Sequence, residues 1–135
     1  MKKLFSSKYS DNGISFSLLI LRLSLGGLMI PHGFDKLKNF VSYSPSFADP
    51  FHLGSTASLA LSIFAEFFCA VLVVAGLLTR LATVPLIIGM SVALFHAHGG
   101  DVFGKGEKAA LFLFGFIALL FAGPGKMSMD RLVGK

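Results

Sequence analysis

The chain holds one cysteine, Cys69, so no intramolecular disulfide and no thiol pair can form within it. Charge is also scarce: 14% of the residues are Asp, Glu, Lys or Arg, against an apolar fraction of 54%. A soluble domain carries roughly 25% charged residues, so this composition marks a membrane protein. The apolar runs are continuous and do not alternate with polar residues, which excludes a transmembrane β-barrel of at least about eight strands. The net charge of +5 does not indicate nucleic acid, because the twelve Lys and Arg residues are scattered over the ends of the apolar runs. No convincing small-x-small cleavage site follows Lys2, Lys3 and Lys8, and the first run contains Arg22, so a cleaved signal peptide is rejected. Nucleophile triads and phosphate-binding loops find no support.

Four apolar stretches remain, and they organise residues 1–135 into one domain. Extended by tilt and snorkelling, they predict spans of about 14–38, 57–79, 81–98 and 105–123. The expected fold is all-α: a four-helix transmembrane bundle with a partly apolar cap loop between helices 1 and 2. That loop, NFVSYSPSFADPFHLGST, carries Phe40, Tyr43, Phe47 and Phe51 and is expected to fold back half-buried. His52 reads as an interfacial loop residue. Lys2, Lys3, Lys8, Arg80, Lys126, Arg131 and Lys135 would share one side, against Lys36, Lys38, Lys105 and Lys108 on the other. This imbalance predicts a plasma-membrane (inner-membrane) protein with both termini in the cytoplasm.

Ile20 to Phe40, ILRLSLGGLMIPHGFDKLKNF, is the most informative stretch. An ionisable residue inside a span is costly and points to function or to a structural tie. Arg22, Gly26, Met29, Gly33 and Lys36 fall near one helical line, expected to face the bundle. Counting about 1.5 Å per residue from each membrane face leaves Arg22 and Glu66 within about 8 Å in depth. An Arg22–Glu66 ion pair is therefore expected. Cys69, in the second span, reads as a small inert core residue.

The outer ends of the spans would gather His32, Lys36, His96, His98, Asp101 and Glu107, with Glu66 beneath. A polar pocket under a loop in a helical bundle suits a small amphipathic molecule entering from lipid, and quinone fits that description. The candidate ligand-binding residues are Arg22, His32, Lys36, Glu66, His96 and Glu107, with no catalytic residue assigned. The competing reading makes Arg22, Lys36, Glu66 and Glu107 interhelical ties. His96, His98 and Asp101 could hold zinc or copper, but His96 and His98 diverge by about 200° on a helix. A bis-histidine haem between His32 and His96 is allowed by depth, yet no cavity signature accompanies it.

RLSLGGLMIPHGFDKL, the second-span Glu66 followed by AGLLTRLA, the third-span FHAHG and the closing GEKAALFLFGFIALLFAGPGKMSMD resemble, in order, the DoxX family of small bacterial membrane proteins. The resemblance implies a four-helix transmembrane protein associated with redox or thiol metabolism as a component of larger complexes. A subunit of an oxidoreductase complex handling quinone is the expected function. A scaffold or a lipid or small-molecule carrier without electron transfer is the contrasting one. The bilayer, quinone and other redox subunits are the expected partners, and Phe-rich outer faces are compatible with a homo-oligomer.

Overall fold

The computed structural model describes residues 2–134. After a 3-10 turn at Lys2–Phe5 come α1 (Asp11–Lys38), the short α2 (Phe40–Tyr43), α3 (Ser55–Ala75), α4 (Thr79–Ala97), α5 (Glu107–Ala122) and the short α6 (Met129–Leu132). The long helices run up and down, each packed on the next around a closed ring: α1 on α3, α3 on α4, α4 on α5 and α5 on α1. The architecture is an all-α four-helix bundle in the membrane. By length and composition α1, α3 and α4, with 28, 21 and 19 residues, can each cross a bilayer. The 16 residues of α5 rise only about 24 Å, so this helix needs its polar flanks at the headgroups to complete the bundle.

Helix α1 starts where Ser10 caps it, its side chain accepting from the Gly13 amide. It continues through Pro31 to Lys38 without a break. Its inward line is the predicted one: Arg22, Gly26, Met29 and Gly33 are buried. Two of these are glycines because α3 lies against them. A Cβ on Gly33 would meet the Glu66 carbonyl carbon and the Phe67 amide at 2.5 Å, and one on Gly26 would meet the Ala70 oxygen at 2.8 Å. Such close approach maximises packing where lipid removes the hydrophobic incentive to associate. The rest of the core is apolar, with Val73, Leu86, Phe116 and Leu119 fully buried. Cys69 is a buried free thiol within it.

The contacts of Gly26 and Gly33 also set the register of α1 on α3, and that register overturns the expected Arg22–Glu66 pair. Residue 33 lies level with Glu66, and Arg22 lies level with Gly76, whose added Cβ would overlap its guanidinium. Ten residues of α3 separate the two levels, about 15 Å of rise. Depth counted from the ends of each apolar run fails because the close glycine contacts, not the run ends, set how far α1 slides along α3.

Arg22 is instead enclosed at the end of the bundle that carries the described termini, where its Nη2 donates to the Met127 carbonyl. The turn from α3 to α4 comprises Gly76 to Leu78, and Thr79 already belongs to α4. Gly76 and Leu78 take left-handed backbone angles there. Asp130 closes this turn: its carboxylate accepts from the Leu78 and Thr79 amides at 2.7 and 3.0 Å, while its own amide donates to Gly76. A carboxylate on the first amides of α4 satisfies donors that the helix cannot.

Candidate ligand pocket

At the opposite end, residues 39–54 fold over the bundle as the expected cap. Asp49 holds this loop together, accepting from the Leu53 and Gly54 amides at 2.9 and 2.7 Å and from the Ser58 hydroxyl at 2.8 Å. These bonds, that from Ser58 first, hold the Asp49 carboxyl below its ordinary pKa. Tyr43 donates to Asp35, and that bond raises the phenol above its ordinary value.

Beneath the cap lies a cavity of about 470 Å³, walled by α3 and α4 and closed on one side by the end of α1. Its walls are mainly apolar, and Phe47 and Phe51 from the cap and Phe64 from α3 set three aromatic rings among the aliphatic side chains. Both walls depart from α-helical geometry at this level. Phe64–Cys69 in α3 and Ala93–Ala97 in α4 are π-helical. The first contains Glu66 and the second His96, and both residues line the cavity. Widened turns of this kind recur at functional sites because they redirect a side chain without ending the helix.

The polar floor is one connected group. Lys36 forms an ion pair with Glu66, and Ser62 donates to the same Oε2 oxygen of Glu66. Lys36 also reaches Ser62 at 3.1 Å. Glu66 is buried, and Lys36 extends toward the cap, its ammonium 5.8 Å from the centre of the Phe47 ring. Oε1 of Glu66 is not used by these contacts. His96 stands exposed at the rim, where its imidazole can donate or accept.

Lys36, Glu66 and His96 are thus brought to one cavity, and three other expected residues are not. Arg22 lies at the far end of the bundle. His32 points at α5, its ring edge-on to Phe112 with centroids 6.3 Å apart. Glu107 opens α5 and is exposed, and no lining residue of the cavity comes from α5. The reason is the ring order: α5 packs between α1 and α4, whereas the cavity opens beside α3. Among the described residues no three His, Cys, Asp or Glu side chains are grouped to hold an ion, and His96, His98 and Asp101 are not gathered.

Ser58 and Ser62 are the polar lining residues that the sequence did not single out, and the cap residues Phe47, Pro50 and Phe51 line the cavity without having been assigned to a site. Ser62 lies four residues before Glu66, on the same helical face, and that spacing was a usable signal. The π-helical turns had none.

The DoxX family profile matches residues 17–99, more than half of the chain. The chain belongs to the DoxX family. An uncharacterized membrane protein of Mycobacterium tuberculosis is 31% identical over 134 residues, covering 88% of this chain and 82% of the relative. An uncharacterized protein of Haemophilus influenzae is 30% identical over 136 residues, covering 95% and 90%. No solved structure matches the chain significantly. The matched DoxX segment contains Lys36, Glu66 and His96, hence the whole polar lining of the cavity.

Proposed function

We propose that this DoxX protein binds a neutral, lipid-dissolved molecule of the quinone or quinol class beneath its cap, as the membrane subunit of a redox system. The observation that carries the reading is the Lys36–Glu66 pair at the floor of an otherwise apolar cavity. The two charges cancel, so the floor favours neither a carboxylate nor an ammonium ligand. It still offers an ammonium donor for a carbonyl and a carboxylate acceptor for a hydroxyl. A volume of 470 Å³ lies within the range of about 300–1,000 Å³ typical of small-molecule sites. Rings on the walls suit a planar head group, and the exposed apolar face of α3 and α4 suits entry from lipid.

A bound quinone would supply two-electron chemistry coupled to protons. In that chemistry Lys36 and Glu66 would hold the head group, and His96 at the rim would exchange protons with water. The electrons would come from or go to a partner subunit, because a single buried cysteine cannot cycle as a dithiol. Exposed Phe64, Phe68, Phe114 and Phe121 provide apolar outer faces for lipid, for that partner or for a second copy. The excess of Lys and Arg at the end carrying both termini supports a cytoplasmic location for that end and a periplasmic one for the cap.

The test is solvent extraction and an ultraviolet spectrum of protein purified in mild detergent. Stoichiometric quinone in the native protein, lost in Glu66→Gln and Lys36→Met, is the expected result. Protein that refuses added quinone and retains a defined lipid in the same cavity would replace this reading with that of a carrier.

A further inference from the structure

A second concavity lies at the opposite end of the bundle, far from the cap. About 290 Å³ in volume, it runs between the first turns of α1 and the segment that follows α5. Its inner surface is apolar, formed by Ile14 and Leu18 of α1 with Ala122 and Pro124, and its rim carries Lys126, Arg131 and Asp11. Gly125, with φ of +83°, presses its backbone onto α1, where a Cβ would sit 3.3 Å from that of Leu18. The Lys126 amide reaches the Ser15 hydroxyl at 3.4 Å. The groove is therefore built by the Gly-Pro-Gly reversal and does not depend on mobile side chains.

Its depth in the membrane is marked independently. On the flanking segments Phe5 and Tyr9 before α1, and Leu132 and Val133 at the end of α6, are exposed apolar or aromatic residues. Among them in sequence stand Lys2, Lys3, Lys8, Lys126 and Arg131. Exposed apolar groups interleaved with cations belong at the headgroup level, where basic grooves between spans attract anionic lipids. One carboxylate opposes this: Asp11 lies 3.9 Å from Lys126, and both are exposed. Two cations against one anion leave the rim with a net positive charge.

We infer that this groove is a binding site for an anionic phospholipid, Lys126 and Arg131 taking the phosphate and one acyl chain lying along Ile14, Leu18 and Ala122. The site is independent of the pocket under the cap.

Native mass spectrometry of the detergent-solubilised protein, with phosphatidylglycerol and phosphatidylcholine of matched chains added in equal amounts, tests it. The expected preference for phosphatidylglycerol is about fivefold, from one net cation at the headgroup level. It should fall to within about twofold in K126Q/R131Q, and in the native protein as salt is raised. Asp11→Asn should increase it. Equal retention of the two lipids, a preference that survives K126Q/R131Q, or one that Asp11→Asn lowers would overturn the assignment. Melting curves of the variants show whether the fold is kept, and the salt series needs no variant.

Discussion

Replacing Lys36 by Met leaves the Glu66 carboxylate, 6% exposed, without its cation. Breaking a buried ion pair costs about 3–5 kcal/mol when the abandoned charge has no other partner. Here Ser62 still donates to Glu66, and the Lys36 side chain is itself 24% exposed. A loss of about 2–3 kcal/mol is therefore expected. For a chain of 135 residues, each kcal/mol corresponds to about 4 °C, so melting should fall by roughly 8–12 °C. Glu66→Gln should be milder, because the amide can still bond Ser62. The loss in the double variant K36M/E66Q should fall short of the sum of the two single losses by a coupling energy of about 1.5 kcal/mol. The assay is thermal unfolding in one detergent, followed by circular dichroism for all four proteins of the cycle. R22M/E66Q provides the contrast and should be additive, since Arg22 and Glu66 lie at different levels of the bundle. Losses for K36M and E66Q that add within about 0.5 kcal/mol would refute the floor described for the cavity.

Other expectations follow from single features. Gly33→Ala forces a methyl into the backbone of α3 and should cost about 1–3 kcal/mol, while Gly27→Ala, with nothing within 4 Å, should melt like the native protein. Asp130→Ala removes the acceptor for two amides of the α3–α4 turn, and a melting loss equivalent to about 1–3 kcal/mol is expected. The Asp49 carboxyl is held below its ordinary pKa, so its ties to the cap are present above the unfolded value of about 3.9 and are lost as pH falls through the lower folded value. Hydrogen exchange at Leu53 and Gly54, corrected for intrinsic rates, should then show protection that persists from pH 7 down through the ordinary carboxylate value of about 3.9 and fades only below it; protection already lost above that value would contradict the sign. For topology, a cysteine at Ser44 in a Cys69→Ala background should react with an impermeant reagent from the periplasmic face of intact cells, and reaction only after permeabilisation would invert the protein.

The fold was legible because its determinants are local. Runs of apolar residues of spanning length, punctuated by Gly99–Gly100 and Gly123-Pro124-Gly125, place the helices to within a few residues. The inward line through Arg22, Gly26, Met29 and Gly33 follows from helical spacing alone. The cap was legible too, as a loop too apolar to stand in water. What failed was the matching of one helix to another. Arg22 and Glu66 look like partners when depth is counted from each apolar run, but glycine contacts set the register and give Glu66 to Lys36.

Composition and periodicity by themselves determined that this chain is a four-helix membrane protein with ionisable groups inside its spans, and its ordered motifs, not its composition, placed it in the DoxX family. Only the tertiary structure decided which of those groups share a site. Periodicity says which face of a helix turns inward, yet it carries no information on which neighbour that face meets. The order of packing sends His32 toward α5 and leaves Glu107 outside the cavity, and the close approach of α1 to α3 delivers Lys36 to Glu66. The π-helical turns at Glu66 and His96 belong to the same class, because a widened turn arises where packing outweighs the regular ladder of hydrogen bonds.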